Sequence, residues 1–281
     1  MDLTYSPPRR RGLPTPQIVA YAILTLGALA MVTPFIWMVA TSFKSPGEIL
    51  QPRFLPEDPT GDNYTQVLTR TLFPQWYLNS LVAAAISTAS VGFFDSLTGY
   101  VFSKFEFPGK RIAFILVLAT LMVPTEMLVI PWYVMAQQTS LVDTTLGIVF
   151  PGLITATGVF LMRQAFKSVP DELLDAARID GMNEFGIFST VAWPLVMPSV
   201  AAICIFNFLG NWNAYIWPLI VTSKRATMTL PIGLAFFSSE AGSAWNLIMA
   251  GATLSTVPLL TVFVFLQRQI IQGVALTGMK S

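Results

Sequence analysis

Six apolar runs constrain this chain more than any other feature: residues 18–43, 77–102, 112–136, 146–162, 190–220 and 245–266. A helix needs ~20 largely apolar residues to cross a ~30 Å hydrocarbon core, and each run is of that order. Lipid leaves no partner for an unpaired backbone amide, so only helices or closed barrels span it. The runs are too continuous for the alternating strands of a barrel. The expected fold is therefore an all-α integral membrane bundle of six transmembrane helices. It is flanked by an N-terminal tail over 1–16 and a C-terminal tail over 271–281, with the membrane domain over 17–270. Only 11% of the 281 residues are charged, against about a quarter in a soluble domain.

The first run resembles a secretory signal, because Arg9, Arg10 and Arg11 precede it and Ala28-Leu29-Ala30 imitates a cleavage site. It continues far past that point and is expected to remain as an anchor. Cations set the orientation. With the N-terminus inside, the inner segments hold Arg9, Arg10, Arg11, Lys104, Lys110, Arg111, Arg163, Lys167, Arg178, Arg268 and Lys280. The outer segments hold Lys44, Arg53, Arg70, Lys224 and Arg225. This inside bias predicts a multi-pass protein of a cytoplasmic (inner) membrane with both termini cytoplasmic.

Several chemistries are excluded. Sixteen Lys+Arg against fifteen Asp+Glu leave no basic excess for a nucleic-acid partner. With no histidine and a single cysteine, Cys204, there is no Cys/His metal site, no disulfide framework and no histidine triad. No catalytic residue, metal or cofactor is expected. Gly109-Lys110 is followed by Arg111, with Lys104 five positions before the glycine, so no phosphate-binding loop is present.

The segments between runs are unequal. Residues 44–75 carry Pro46, Pro52, Pro56, Pro59 and Pro74 and predict irregular turns. Residues 222–244 form the last outer loop. Ala84, Thr88, Gly92 and Ser96 recur every four residues and predict close helix packing, as do Gly251 and Ser255. Pro124, Pro131, Pro194, Pro198 and Pro258 predict bends.

The inner loop 163–189 stands apart. Ser168 can cap a helix, with Asp171 three residues on as in a capping box and Pro170 in the first turn. Leu173, Ala176, Ala177 and Asp180 then share one face, and Gly181 supplies a left-handed stop. The pattern predicts a helix of about 12 residues, ~18 Å long, and then a second helix from Asn183. Physically it reads either as a solvated connector or as a rigid element that inserts into a groove of a cytoplasmic partner, small side chains permitting close approach.

At these residues the chain resembles a known family. Asp175-Ala176-Ala177-Arg178-Ile179-Asp180-Gly181, followed by Phe185, Pro194 and Pro198, is similar to the Glu-Ala-Ala loop of binding-protein-dependent ABC importer permeases. The resemblance is to the carbohydrate-uptake branch, and within it to the second permease subunit of maltose-type and glycerol-phosphate-type systems. It extends to Ser42-Phe43-Lys44, Phe105-Glu106-Phe107-Pro108-Gly109, Asn211-Trp212-Asn213 and the tail 273–280. Asp175 stands where the family usually has Glu, and Met182 where it often has Ala.

The resemblance implies a type I importer permease fold and a non-catalytic subunit that moves substrate. The implied partners are a homologous permease, a cytoplasmic ATPase dimer on separate chains, an extracytoplasmic substrate-binding protein and a sugar. A coupling helix over 169–181 would present Asp171, Glu172, Leu173, Asp175, Ala176, Ala177, Asp180 and Gly181 to the ATPase. A glycerol-phosphate importer is the near alternative. An ion-coupled secondary carrier using Asp95 and Glu126, or a membrane anchor of an enzyme complex, are the distant ones.

Asp95 and Glu126 are the ionisable residues within the apolar runs, and each reads either as a structural hydrogen-bonding group or as part of a pathway. Glu126, Asn211, Trp212, Asn213 and Tyr215 are the candidates to meet substrate. Trp212, Tyr215 and Trp217 could stack on sugar faces, although an interfacial aromatic belt is the commoner use of such residues. Because every Lys and Arg lies at a run end or in a loop, the chain is expected to suit a neutral ligand better than an anion.

Overall fold

The computed structural model describes the backbone of residues 15–49, 51–241 and 244–278. The tail 1–14 and residues 279–281 lie outside it. The described chain is helical throughout, with no strand among the described residues. Helix α1 is Thr15–Ser42, α2 Asp62–Arg70 and α3 Phe73–Lys104. Three bent pairs follow: α4 Lys110–Met122 with α5 Thr125–Gln138 at 103°, α6 Thr145–Gly152 with α7 Ala156–Lys167 at 51°, and, after α8 Asp171–Ile179, α9 Glu184–Leu195 with α10 Met197–Trp212 at 82°. Helices α11 Ile216–Val221, α12 Leu230–Ala241 and α13 Trp245–Gly278 complete the chain. Helix α13 continues unbroken through 271–278, where the sequence suggested a tail.

Among the described residues three helices, α1, α3 and α13, are long and apolar enough to cross a bilayer alone, and up to six crossings result if each bent pair is one span. The bends follow backbone chemistry. Proline removes an amide and clashes with the preceding turn, and breaks fall at Val123–Pro124, at 153–155 just after Phe150-Pro151-Gly152, and at Val196 between Pro194 and Pro198. Pro131 and Pro258 were expected to mark bends too, yet both sit inside continuous helices.

Two segments read as loops contain helices. In 44–75, α2 is a strongly amphipathic helix whose buried Asn63 donates to the Ser42 and Lys44 carbonyls (2.8 and 2.9 Å) and accepts from Asn246 Nδ2 (2.7 Å). Ahead of α2 the chain runs in the irregular turns expected of it, and buried Glu48 fastens them by accepting from the Glu57 and Asp58 amides (3.1 and 3.3 Å). In 222–244, α12 buries Leu230 and Ile232 beside Trp76 and Trp212.

The small-residue stripe packs as expected. Ala84, Gly92 and Ser96 are buried, a Cβ at Gly92 would meet Cys204 Sγ at 2.9 Å, and Ser87 and Thr88 reach Asn207 Oδ1 on α10 at 3.1 and 3.3 Å.

Candidate functional site

Helix α8 lies at the end of the bundle where α3 and α7 finish. It spans nine residues, about 14 Å, shorter than the sequence suggested. Pro170, not Ser168, occupies its N-cap, and no side-chain cap bond is made there. The Ser168 hydroxyl instead donates back to the Ala165 carbonyl (2.7 Å), closing α7. The expected capping box is therefore absent: proline lacks an amide and starts the helix by its fixed φ alone.

The face assignment also shifts. Leu174 and Ala177 are buried among Tyr100, Phe166 and Phe188, which anchors α8 on the bundle. Leu173 (47% exposed), Ala176 and Asp180 point away from it, with Asp171, Glu172 and Asp175 beside them. Ala177 thus belongs to the supporting face and not to the exposed one. Ile179 is 86% exposed and Phe185 also lies open, so two large apolar side chains rim the acidic face. Gly181 has φ +83°, the left-handed conformation in which a Cβ is strained.

Electrostatics fix both ends of α8. Lys104 Nζ donates to Asp171 Oδ1 (2.6 Å), and this hydrogen bond and charge hold the Asp171 carboxyl below the ordinary range. Arg178 donates to Glu184 Oε1 (2.8 Å) and Asp175 Oδ1 (2.6 Å), bonds that push the guanidinium further towards its charged form. Asn183 Oδ1 accepts from the Gly186 amide (2.7 Å) and caps the next helix.

The residues expected to meet substrate do not form one cluster. Glu126 is exposed in the first turn of α5, just past the 103° break, where a helix N-terminus favours a carboxylate. Trp212 is 2% exposed. Its ring stacks on Phe208, takes the edge of Tyr77, and donates from Nε1 to the Ser255 carbonyl (3.2 Å), so its faces are occupied by core. Asn211 is half-buried and donates to the Asn207 carbonyl (3.0 Å); Asn213 and Tyr215 are exposed. Trp217 donates to the Gly147 and Ile148 carbonyls (3.1 and 3.0 Å). A cleft of about 640 Å³ opens between Arg70, Trp76, Arg225, Phe236 and Leu247, and none of the expected substrate residues lines it.

Asp95 is fully buried and accepts from the Thr155 amide (3.0 Å) and hydroxyl (2.6 Å), while Thr155 Oγ1 caps α7 through the Gly158 amide (3.0 Å). The carboxylate satisfies the broken end of a neighbouring helix. At the far end of the bundle, Asp143 (φ +61°) accepts from the Ser223 and Lys224 amides and Thr227 Oγ1 (2.7, 2.9 and 2.8 Å). Partial burial pushes its carboxyl up, but these donors outweigh that and hold it below the ordinary range. Sequence reading missed Lys104, Thr155, Asp143 and Glu184. Of these only Thr155, a threonine ahead of a helical run, carried a capping signal.

Residues 95–276 match the family described as binding-protein-dependent transport system inner membrane component. Among curated proteins, the arabinooligosaccharides transport system permease protein AraQ of Halalkalibacterium halodurans is 34% identical over 92% of this chain and 96% of its own. The lactose transport system permease protein LacG of Rhizobium radiobacter is 34% identical over 92% and 94%. The sn-glycerol-3-phosphate transport system permease protein UgpE of Agrobacterium fabrum is 30% identical over 94% and 98%. In the crystal structure of a bacterial ABC transporter involved in the import of the acidic polysaccharide alginate, one chain superposes with a TM-score of 0.82 at 24% identity, covering 92% of this chain and 99% of that one.

Proposed function

Because the chain belongs to the family of binding-protein-dependent transport system inner membrane components, we propose that it forms half of the translocation pathway of an ATP-driven sugar importer and couples to its ATPase through α8. Its fold is the all-helical one of type I importer permeases. ATP is hydrolysed on separate cytoplasmic chains, a homologous permease supplies the other half of the pathway, and a soluble binding protein delivers substrate on the outer side. Both termini are cytoplasmic, in keeping with the cation bias.

The observation that carries this reading is the two-faced α8. Leu174 and Ala177 fasten it to the bundle, while Asp171, Glu172, Leu173, Asp175, Ala176 and Asp180 are displayed as a short, acidic, small-residue ridge. Such a ridge enters a groove with cations at its mouth, and Gly181 ends it cleanly. An ion-coupled carrier has no use for this element, and of its two expected coupling residues, Asp95 and Glu126, the first is consumed by Thr155.

The substrate proposed is a neutral, hydroxyl-rich saccharide. Relatives at 34% identity are named for arabinooligosaccharides and lactose, and a glycerol-phosphate relative stands at 30%. Glu126, Asn211, Asn213 and Tyr215 are the residues proposed to face the pathway, while Trp212 is held in the core by Phe208, Tyr77 and the Ser255 carbonyl. To test the docking, Ile179→Cys in a Cys204→Ser background is treated with a short cross-linker in vesicles of the assembled complex. Cross-linking to the ATPase chain is expected; an intact complex with no such product contradicts the assignment.

A further inference from the structure

Lys104 is the last residue of α3, and its side chain is only 7% exposed although it ends at the membrane boundary. Its ammonium is spent on two acceptors either side of Pro170: the Val169 carbonyl (2.6 Å) and Asp171 Oδ1 (2.6 Å). The Asp171 carboxylate is 75% exposed, so as a surface ion pair this contact adds little stability. Its geometry does something else. It buttons the start of α8 to the end of one particular helix.

That helix is continuous from Phe73 to Lys104, about 48 Å of rod. Its inner end is braced against α7, since a Cβ at Gly99 would meet Met162 Cβ at 2.6 Å and Arg163 Nε donates to the Phe102 carbonyl (3.0 Å). Its outer end holds the last outer loop: Trp76 Nε1 donates to the Arg225 carbonyl (2.7 Å), Asn79 Nδ2 to the Ala226 and Met228 carbonyls (2.8 and 2.9 Å), and Ser80 Oγ accepts from the Leu230 amide (2.8 Å). One unbroken element therefore joins the first turn of α8 to residues 225–230 on the opposite side.

Resting on the permease reading above, we propose that Lys104 is a positioning residue that transmits the position of α8 to α3, and through α3 to the outer loop over 225–230. A rigid-body shift of α8 moves an element that reaches both membrane faces, as alternating access requires. Without the Lys104 contacts α8 stays seated by Leu174 and Ala177, in a cluster that includes Tyr100 of α3, but loses its polar tie to the inner end of that helix.

The test compares wild type, Lys104→Met and Lys104→Arg as complete complexes with their binding protein in proteoliposomes. The readouts are co-purification of the ATPase and the factor by which saccharide-loaded binding protein stimulates ATP hydrolysis. Lys104→Met is expected to co-purify normally while its stimulation factor falls about tenfold, in the usual range of allosteric coupling, and Lys104→Arg to recover most of it. Wild-type stimulation in Lys104→Met overturns the proposal. If Lys104→Met does not assemble, Lys104→Gln repeats the test with a donor kept for the Val169 carbonyl, and undiminished stimulation there overturns it equally. Absence of stimulation in the wild type would instead strike the permease reading itself.

Discussion

Asp95 accepts two hydrogen bonds from Thr155 inside the bundle, and removing that acceptor strands a partly buried amide and hydroxyl. Asp95→Ala should cost about 1–3 kcal/mol, read as a lower melting temperature in detergent, and Asp95→Asn, which keeps one acceptor oxygen, should cost less. Equal melting of all three forms would refute the structural role. Asp143 gives a pH dependence. Its carboxyl sits below the ordinary range, so the folded state favours the charged form. The stability it contributes is complete above the ordinary value of about 3.9 and is lost as pH falls through the lower folded value. Wild type should out-melt Asp143→Asn near neutrality, with the gap closing below about pH 4; a constant gap would contradict this. Asp95 was visible in the sequence as an expensive residue in a span. Its partner was not, because Thr155 approaches only once the fourth apolar run breaks.

Helix α8 has two faces that substitutions separate. Leu174→Ala removes a fully buried side chain and should destabilise the subunit by about 2–5 kcal/mol. Leu173→Ala trims an exposed one, should leave melting within about 0.5 kcal/mol, and should weaken ATPase co-purification. Loss of stability in Leu173→Ala with normal co-purification would reverse the assignment. Gly181→Ala adds a Cβ at φ +83°, a strain of order 1 kcal/mol, and is expected to lower uptake more than Met182→Ala. The inner helix and its left-handed stop were legible because helix signals are local. Which alanine faced outward was not: Ala176 and Ala177 differ by about 100° of rotation, and only packing against Phe166 and Phe188 decides between them. Helices α2 and α12 escaped a reading based on span length, because 9 and 12 residues cannot cross a bilayer and so merge with the loops.

Across the whole molecule, orientation rests on the distribution of cations, with Lys104, Lys110 and Arg163 at the α8 end and Lys224 and Arg225 at the end held by Asp143. Single cysteines at Leu55 and Glu172, both exposed, in a Cys204→Ser background should label from outside and from inside respectively in intact cells. Equal labelling of both by an impermeant reagent would overturn the topology. The class of fold was readable because the bilayer imposes length and apolarity on any crossing segment. The breaks within three of those segments were only half readable, since proline marks where a helix can fail and its neighbours decide whether it does. The central claim, ATP-driven import of a neutral saccharide by a complex containing this chain, is tested most directly by uptake of labelled oligosaccharide into proteoliposomes holding both permeases and the ATPase. Accumulation that requires ATP and the loaded binding protein, and persists when ion gradients are dissipated, is the expected result; accumulation driven by an ion gradient without ATP would contradict the account.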